Sequence, residues 1–234
     1  MNSETSTETF FCVGPDRLSL SVFEDADKKI FEKQLLIDDK LKKQDFEILI
    51  DKFFGENIKI IEKKTGRFIN EINLISYDLN FVLIQASIKK KRTDNKIDQR
   101  ELNRMLFDIK QQIKENNIDK TITHMKIKSF LLDNKQHLNL DDNFECNELC
   151  LQIDFICLPN NIISDLSKKI KKYQVSVQKI FSAKYLKEYH NGTNENECQI
   201  AARLKYEMDE NEVHLIKKTK EKSGFFERFF RFFG

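Results

Sequence analysis

The segment at 223–234 has the most informative residue types and spacing in the chain. They indicate binding to lipid. This segment reads SGFFERFFRFFG, with six phenylalanines and three charged residues. At about 100° per residue of a helix, the rings fall on one broad arc and the charges on the other side. A helix roughly 15 Å long is too short to span a bilayer, but it can lie in the interface. The predicted membrane-binding residues are Phe225, Phe226, Phe229, Phe230, Phe232, Phe233, Lys222, Arg228 and Arg231.

The segment before these rings is basic, with the sequence KKTKEK at 217–222. Residues 217–234 carry six Lys or Arg against two Glu, a surplus of four positive charges that would face anionic lipid. The alternative interpretation is a terminal helix that packs on the protein's own core. We favour the membrane, because a packed helix seldom needs six large rings within so short a segment behind a basic linker.

Other groups that could do chemistry do not form a site. Cys146, Cys150 and Cys157 lack the paired spacing of a metal site, and on a strand Cys150 and Cys157 point to opposite faces, so we predict core or surface thiols. The sequence contains no nucleophile elbow and no phosphate-binding loop, and six glycines leave little to cradle a phosphate. We therefore predict no catalytic residue, no metal and no cofactor, and a chain that is not an enzyme. The four histidines are scattered: His124, His137, His190 and His214.

The first basic cluster along the chain is KKKR at 89–92. It is typical of a solvated strand end or loop, and a contact with nucleic acid or lipid is the less favoured alternative. The formal net charge of the whole chain is only +2. Dedicated nucleic-acid binders usually have a strongly basic domain, so we predict no nucleic-acid partner.

The compartment can also be inferred from the sequence. Five cysteines is an odd number, and the polar, acidic N-terminus does not resemble an export signal. Both observations indicate reduced thiols in the cytoplasm. Apolar residues make up 40% of the chain, enough for a core, but no apolar run reaches the length of a transmembrane helix.

The elements that must position these residues follow from hydrophobic periodicity. In 149–157, apolar residues alternate with polar ones, which predicts a strand with one face in a core. In 43–64, Phe46, Phe53 and Phe54 recur at helical spacing, and Gly66 stands where a helix stop is expected. Strands are predicted at 9–13, 18–23, 30–37, 69–76, 80–88, 121–132, 149–157, 175–180 and 212–216, helices at 43–64, 98–116, 160–172, 183–189 and 198–206, and a polar loop at 133–147.

The order of these elements is strand-strand-strand-helix-strand, an insert, and then helix-strand-helix. This order resembles the ribonuclease-H-like half of an actin-type ATPase. An insert of the form strand-helix-strand-strand at this point resembles subdomain 1C of FtsA, the bacterial actin-like cell-division protein. Residues 123–133 (THMKIKSFLLD) look like that family's strand of the form hxIPQxYxxDG. Residues 149–158 look like its following strand, 165–183 like the return into subdomain 1A, and 224–234 like its C-terminal amphipathic helix.

The departures from the family determine the expected activity. The family ends its first strand with a phosphate turn of the form Asp-x-Gly-Thr, but this chain has Cys12-Val13-Gly14-Pro15, so a cysteine replaces the metal-side aspartate. The second ATPase lobe has no counterpart in the sequence. The resemblance is therefore not expected to bring ATPase activity, and the contact with the tubulin-like FtsZ that the family makes through that lobe is in doubt.

The resemblance implies an α+β protein that acts as a non-catalytic, membrane-associated FtsA-like scaffold or adaptor in cell division. It would be peripheral, at the cytoplasmic face of the inner membrane. Its partners would be anionic inner-membrane lipid, other divisome proteins such as FtsA-like neighbours, FtsZ or membrane-protein tails, and further copies of itself. The alternatives are a degenerate actin-like nucleotide-binding protein and a membrane scaffold of the pilus-assembly type. The expected domains are subdomain 1A at 1–77 and 160–207, subdomain 1C at 78–159, a basic linker at 208–222 and the amphipathic helix at 223–234.

Overall fold

The computed structural model of the protein describes residues 7–25, 28–37, 43–77, 79–91, 99–138, 145–189, 195–207 and 213–215. The fold is mixed α+β with two five-stranded sheets, which confirms the predicted class at this level. The chain divides into two compact units, and each contains one of the sheets. Unit 1 comprises Met1–Asn80 and Asn161–Tyr206, and unit 2 comprises Phe81–Asn160 and Glu207–Gly234.

The helices and strands lie within a few residues of their predicted bounds. The strands are β1 (Thr7–Val13), β2 (Arg17–Glu24), β3 (Lys28–Leu36), β4 (Glu71–Ser76), β5 (Val82–Lys91), β6 (Lys120–Leu132), β7 (Lys135–His137), β8 (Glu148–Pro159), β9 (Ser176–Ser182) and β10 (Val213–Leu215). The helices are α1 (Lys43–Thr65), α2 (Gln99–Asn116), α3 (Asn160–Lys171), α4 (Ala183–Lys187) and α5 (Glu197–Glu207).

The sheet of unit 1 has the strand order β3-β2-β1-β4-β9. Strands β1, β2 and β3 form an antiparallel meander, whereas β1, β4 and β9 run parallel to one another. The carboxyl ends of these three parallel strands therefore meet at one edge of the sheet. This edge is where ligands bind in open α/β sheets, so it is the first place to look for a site.

Helix α1 packs on one face of this sheet. Its residues Phe53 and Phe54 contact the Phe11 ring, with centroids 6.3 and 5.0 Å apart. The helix ends as predicted at Gly66, whose φ of +67° suits glycine and whose N–H donates to the Glu62 carbonyl at 2.8 Å.

Helix α5 packs on the opposite face of the sheet. Phe10 belongs to that face, because successive residues of a strand point to opposite sides and its neighbour Phe11 points towards α1. Cys198 of α5 lies against β2, with its Sγ 3.8 Å from the Ser19 hydroxyl. The two central residues Ala201 and Ala202 are fully buried, and the small side chains let the helix lie close to the sheet. At the far end of the helix, Lys205 pairs with Glu8 of β1 at 2.7 Å.

The sheet of unit 2 has the order β10-β6-β8-β5, and the short strand β7 also pairs with β6. Strand β8 lies between two antiparallel neighbours, β6 and β5. Its alternating pattern of burial confirms the predicted strand with one face in a core. Helix α2 covers that face, and its buried residues are Leu102, Met105, Leu106 and Ile109.

Two local features of unit 2 differ from the prediction. Strand β5 continues through the basic run to Lys91, because Lys89 pairs in register with Cys150 and forms an ion pair with Glu148 at 2.5 Å. The predicted loop at 133–147 contains strand β7, because Asp133 and Asn134 both take positive φ (49° and 68°) and turn the chain into a hairpin.

Candidate functional site

The turn between β1 and β2 lies at the edge of unit 1 where the parallel strands end. It is tight, since the Gly14 N–H donates to the Arg17 carbonyl at 2.9 Å. The Tyr77 N–H, directly after β4, donates to the Val13 carbonyl at 3.2 Å. A Cβ atom on Gly14 would lie 3.2 Å from the Tyr77 ring and 3.3 Å from the Arg17 carbonyl, so glycine lets this ring pack on the turn.

Four side chains of unit 1 meet beside this turn, and we call them the edge cluster: Arg17, Tyr77, Lys187 and Glu197. The Nη2 of Arg17 donates to both carboxylate oxygens of Glu197, at 2.9 and 2.8 Å. The Tyr77 hydroxyl donates to Oε1 of the same carboxylate. The Nζ of Lys187 lies 4.9 Å from the centroid of the Tyr77 ring, a cation–π distance.

The local sequence explains why Glu197 points into this cluster. Helix α5 begins with a capping box, in which the Gln199 N–H donates to Asn196 Oδ1 at 2.9 Å and the Asn196 N–H donates to Gln199 Oε1 at 3.0 Å. Glu197 is the first residue of the helix, where the helix dipole favours a negative charge.

The electrostatics of the cluster favour the ionised carboxylate. Burial raises the pKa of Glu197, but the hydrogen bond from Tyr77 and the charges of Arg17 and Lys187 outweigh it, so the net pKa is below the ordinary value of 4.5. Burial and the adjacent carboxylate together raise the pKa of the Tyr77 hydroxyl, so Tyr77 remains a hydrogen-bond donor.

Cys12, predicted to replace a metal-binding aspartate, is a buried residue of β1. Burial raises the pKa of its thiol, and the neighbouring Cys198 and Glu197 raise it further. Burial raises the pKa of the Cys198 thiol to about 11. Both residues are therefore neutral thiols at neutral pH.

The edge cluster therefore contains an internal ion pair between Arg17 and Glu197. Its two strongest donors, Arg17 and Tyr77, are the kinds of group that bind a phosphate oxygen, but both donate to a carboxylate of the protein itself. Within the described ranges, no group of three or more His, Cys, Asp or Glu could hold a metal ion.

The structure places the other candidate residues as follows. Cys146 and Cys157 are buried in the core of unit 2 and Cys150 is half-buried, in agreement with thiols that pack in or near a core. Two members of the basic run at 89–92 form ion pairs inside unit 2, Lys89 with Glu148 and Lys90 with Glu101 at 3.1 Å, which agrees with the predicted strand end.

The predicted membrane-binding residues all lie outside the described residues. They are Lys222, Phe225, Phe226, Arg228, Phe229, Phe230, Arg231, Phe232 and Phe233. In the part of the chain that the structure does describe, no helix is both long enough and apolar enough to cross a membrane.

The sequence analysis did not find the edge cluster. Arg17 and Glu197 are 180 positions apart, and each is an ordinary charged residue in its local pattern. The only local signal was the Asn-Glu-Cys-Gln run at 196–199, which marks a helix start.

No family model matches the chain, and no curated protein is significantly similar to it in sequence. Three solved structures with a similar fold are the following. The PilM–PilN type IV pilus biogenesis complex is 9% identical over 86% of this chain and 52% of that chain, with a TM-score of 0.41. The cytoplasmic domain of EpsL, an inner membrane component of the type II secretion system of Vibrio cholerae, is 8% identical over 77% of this chain and 57% of that chain, with a TM-score of 0.35. A Bacteroides thetaiotaomicron protein with an actin-like ATPase fold and unknown function is 12% identical over 80% of this chain and 55% of that chain, with a TM-score of 0.30. The chain spans about half the length of these structures.

Proposed function

We propose that this protein is a non-catalytic, membrane-associated adaptor of the actin-like class. In this proposal unit 1 corresponds to subdomain 1A, unit 2 to the inserted subdomain 1C, and residues 223–234 to an amphipathic helix that binds anionic lipid. The protein would act at the cytoplasmic face of the inner membrane by bringing partner proteins to it. The sequence resemblance favours an FtsA-like role in cell division, and a scaffold of the pilus-assembly type is the alternative.

The non-catalytic part of this proposal rests on the position of the Glu197 carboxylate in the edge cluster. A nucleotide bound where the parallel strands of unit 1 end would need cations and hydrogen-bond donors for its phosphates. Arg17 and Tyr77 are the donors placed there, and Glu197 of α5 already accepts from both. A phosphate would have to displace this carboxylate and leave it half-buried without its cation, which is costly.

Isothermal titration calorimetry with ATP and Mg²⁺ tests the non-catalytic proposal. We expect no saturable heat from the wild-type chain at ATP concentrations up to the millimolar range. The matched control is Arg17→Ala. Saturable micromolar binding in the wild type that this substitution abolishes would locate a nucleotide at the edge cluster, and the proposal would be wrong.

A two-hybrid screen in bacteria against the proteins of one genome tests the adaptor role. We expect contacts with division proteins, including a full-length FtsA-like neighbour. Contacts restricted to pilus-assembly proteins would select the alternative, and no contact with either group would contradict an adaptor role.

A further inference from the structure

The last described residues of the chain fix where the C-terminal segment leaves the protein. β10 pairs with the outer edge of β6, with Val213 opposite Met125 and Leu215 opposite Ile127. The pairing is parallel, so β10 runs in the same direction as β6. That direction leads towards Lys128 and the turn between β6 and β7.

The length of the following chain limits how far a membrane-bound tail can be from this edge. Seven residues, 216–222, separate β10 from the apolar segment that begins at residue 223. Fully extended, they reach at most about 25 Å. In the same sheet β5 lies three strand spacings from β10, about 14 Å farther along. The tail is therefore attached to unit 2 at the β10 edge rather than at the β5 edge, and the charges on the β10 edge decide whether that edge itself faces the bilayer.

The charges on this edge suit an anionic surface. Lys128 and Lys135 are both exposed. Lys128 lies where the register between β6 and β8 shifts, so it has no paired residue on β8. Across the described residues neither lysine forms an ion pair, whereas Lys89 and Lys90 on the opposite edge strand are paired with glutamates.

The nearest acidic residue in the chain, Asp133, does not offer a free carboxylate to these lysines. Its Oδ1 accepts the N–H groups of Asn147 and Glu148, at 3.0 and 2.9 Å. This carboxylate joins the turn between β6 and β7 to the start of β8, and it is already hydrogen-bonded to the backbone.

We propose that the edge of unit 2 formed by β10, β6 and the β6–β7 turn faces the membrane, with Lys128 and Lys135 against anionic lipid headgroups. This inference rests on the proposed lipid binding of residues 223–234. It adds a second contact surface to the tail and gives unit 2 one orientation on the bilayer.

The proposal predicts that charge reversal on this edge weakens lipid binding. The variant is K128E/K135E, and the matched control is K90E/K91E, two exposed lysines of β5 at the opposite edge of the same sheet, with the same change in net charge. The assay is co-sedimentation of the full chain with vesicles of phosphatidylglycerol and phosphatidylcholine at 0.1 M salt. We expect about tenfold weaker partitioning for the edge variant, because each reversed lysine replaces attraction to the anionic headgroups with repulsion. The control should change about twofold or less, because β5 lies about 14 Å from β10 and charges beyond about 10 Å are screened.

Hydrogen exchange of the wild-type chain provides a test that needs no substitution. With vesicles present, amides of residues 128–137 should exchange more slowly, and those of β5 should be unchanged. If the wild type binds vesicles but the two double variants partition equally, or if the protection falls on another surface, this inference is wrong and the proposed function stands. If the wild type does not bind vesicles at all, both are wrong.

Discussion

At the scale of single residues, the Arg17–Glu197 pair is the feature with the clearest energetic consequence. Because its pKa is lowered in the fold, Glu197 contributes stability above its ordinary value of 4.5 and loses that contribution as the pH falls through the folded pKa. Glu197→Gln should therefore lower the free energy of unfolding by about 1–2 kcal/mol at pH 7. The difference from the wild type should shrink below pH 4.5, where the carboxyl of the unfolded chain takes up its proton first and that of the folded protein follows at its lower pKa.

Urea unfolding at pH 7 and at pH 3.5 measures this difference. Glu56→Gln, which removes an exposed carboxylate of α1, is the control and should change little at either pH. A deficit in Glu197→Gln that is equally large at both values of pH would mean that the ion pair does not stabilise the fold.

The residue scale is also where prediction from the sequence reached its limit. Cys12 could be identified because the resemblance places residues 12–15 where the family has its phosphate turn. The side chains that surround that turn come from β2, the end of β4, the end of α4 and the start of α5, and only the fold brings them together. A hydrophobic period of two residues in a strand, or of 3.6 residues in a helix, predicts which residues face a core. It does not predict which charged residues meet at a sheet edge.

At the scale of elements, the packing of Tyr173 on α1 predicts that Gly55→Ala destabilises the wild type but stabilises a variant that lacks the ring. A Cβ atom on Gly55 would lie 2.6 Å from Cε1 of Tyr173. The ring cannot easily move, because its hydroxyl donates to the Asp51 side chain at 2.6 Å and its edge contacts Phe54 at 5.3 Å between centroids. Gly55→Ala should therefore destabilise the fold by about 1–3 kcal/mol, although alanine is the better helix former.

The control is the same substitution in a Tyr173→Ala background, followed by urea unfolding. Without the ring, the clash is absent and Gly55→Ala should stabilise by up to about 1 kcal/mol through helix propensity. Destabilisation of the same size in both backgrounds would show that the contact with Tyr173 is not the cause. The sequence around Gly55 gives no sign of this requirement, because Tyr173 lies more than a hundred positions away along the chain.

At the scale of the whole molecule, hydrophobic periodicity predicted the elements well, because both units pack amphipathic helices on sheets. The strand order could not be predicted in the same way, because it depends on long-range pairs. β10 is the clearest case. Three residues, Val213–Leu215, carry too little pattern to indicate a partner, yet their pairing with β6 determines where the C-terminal segment leaves the protein.

The last prediction concerns residues 223–234. Full burial of one phenylalanine contributes about 1.5–3 kcal/mol, but interfacial rings are only partly immersed. Ordering the backbone costs about 1–2 kcal/mol per residue, and each positive charge close to anionic lipid returns about 1 kcal/mol. One copy should therefore bind reversibly. The variant Phe226→Glu with Phe230→Glu places charges in the centre of the apolar arc, so it should stay folded but lose co-sedimentation with anionic vesicles.

The control for charge alone is Thr219→Glu with Ser223→Glu, which adds the same two negative charges and keeps all six rings. Its binding should weaken and depend less on salt. The reason is that the two added carboxylates offset part of the positive charge that attracts the segment to anionic lipid. Raising the salt should weaken wild-type binding without abolishing it, since the contribution of the rings does not depend on ionic strength. If the phenylalanine variant instead unfolds the protein, and the wild type never binds vesicles, the rings belong to the protein's own core. The basic linker would then connect two parts of one fold rather than a fold and a membrane.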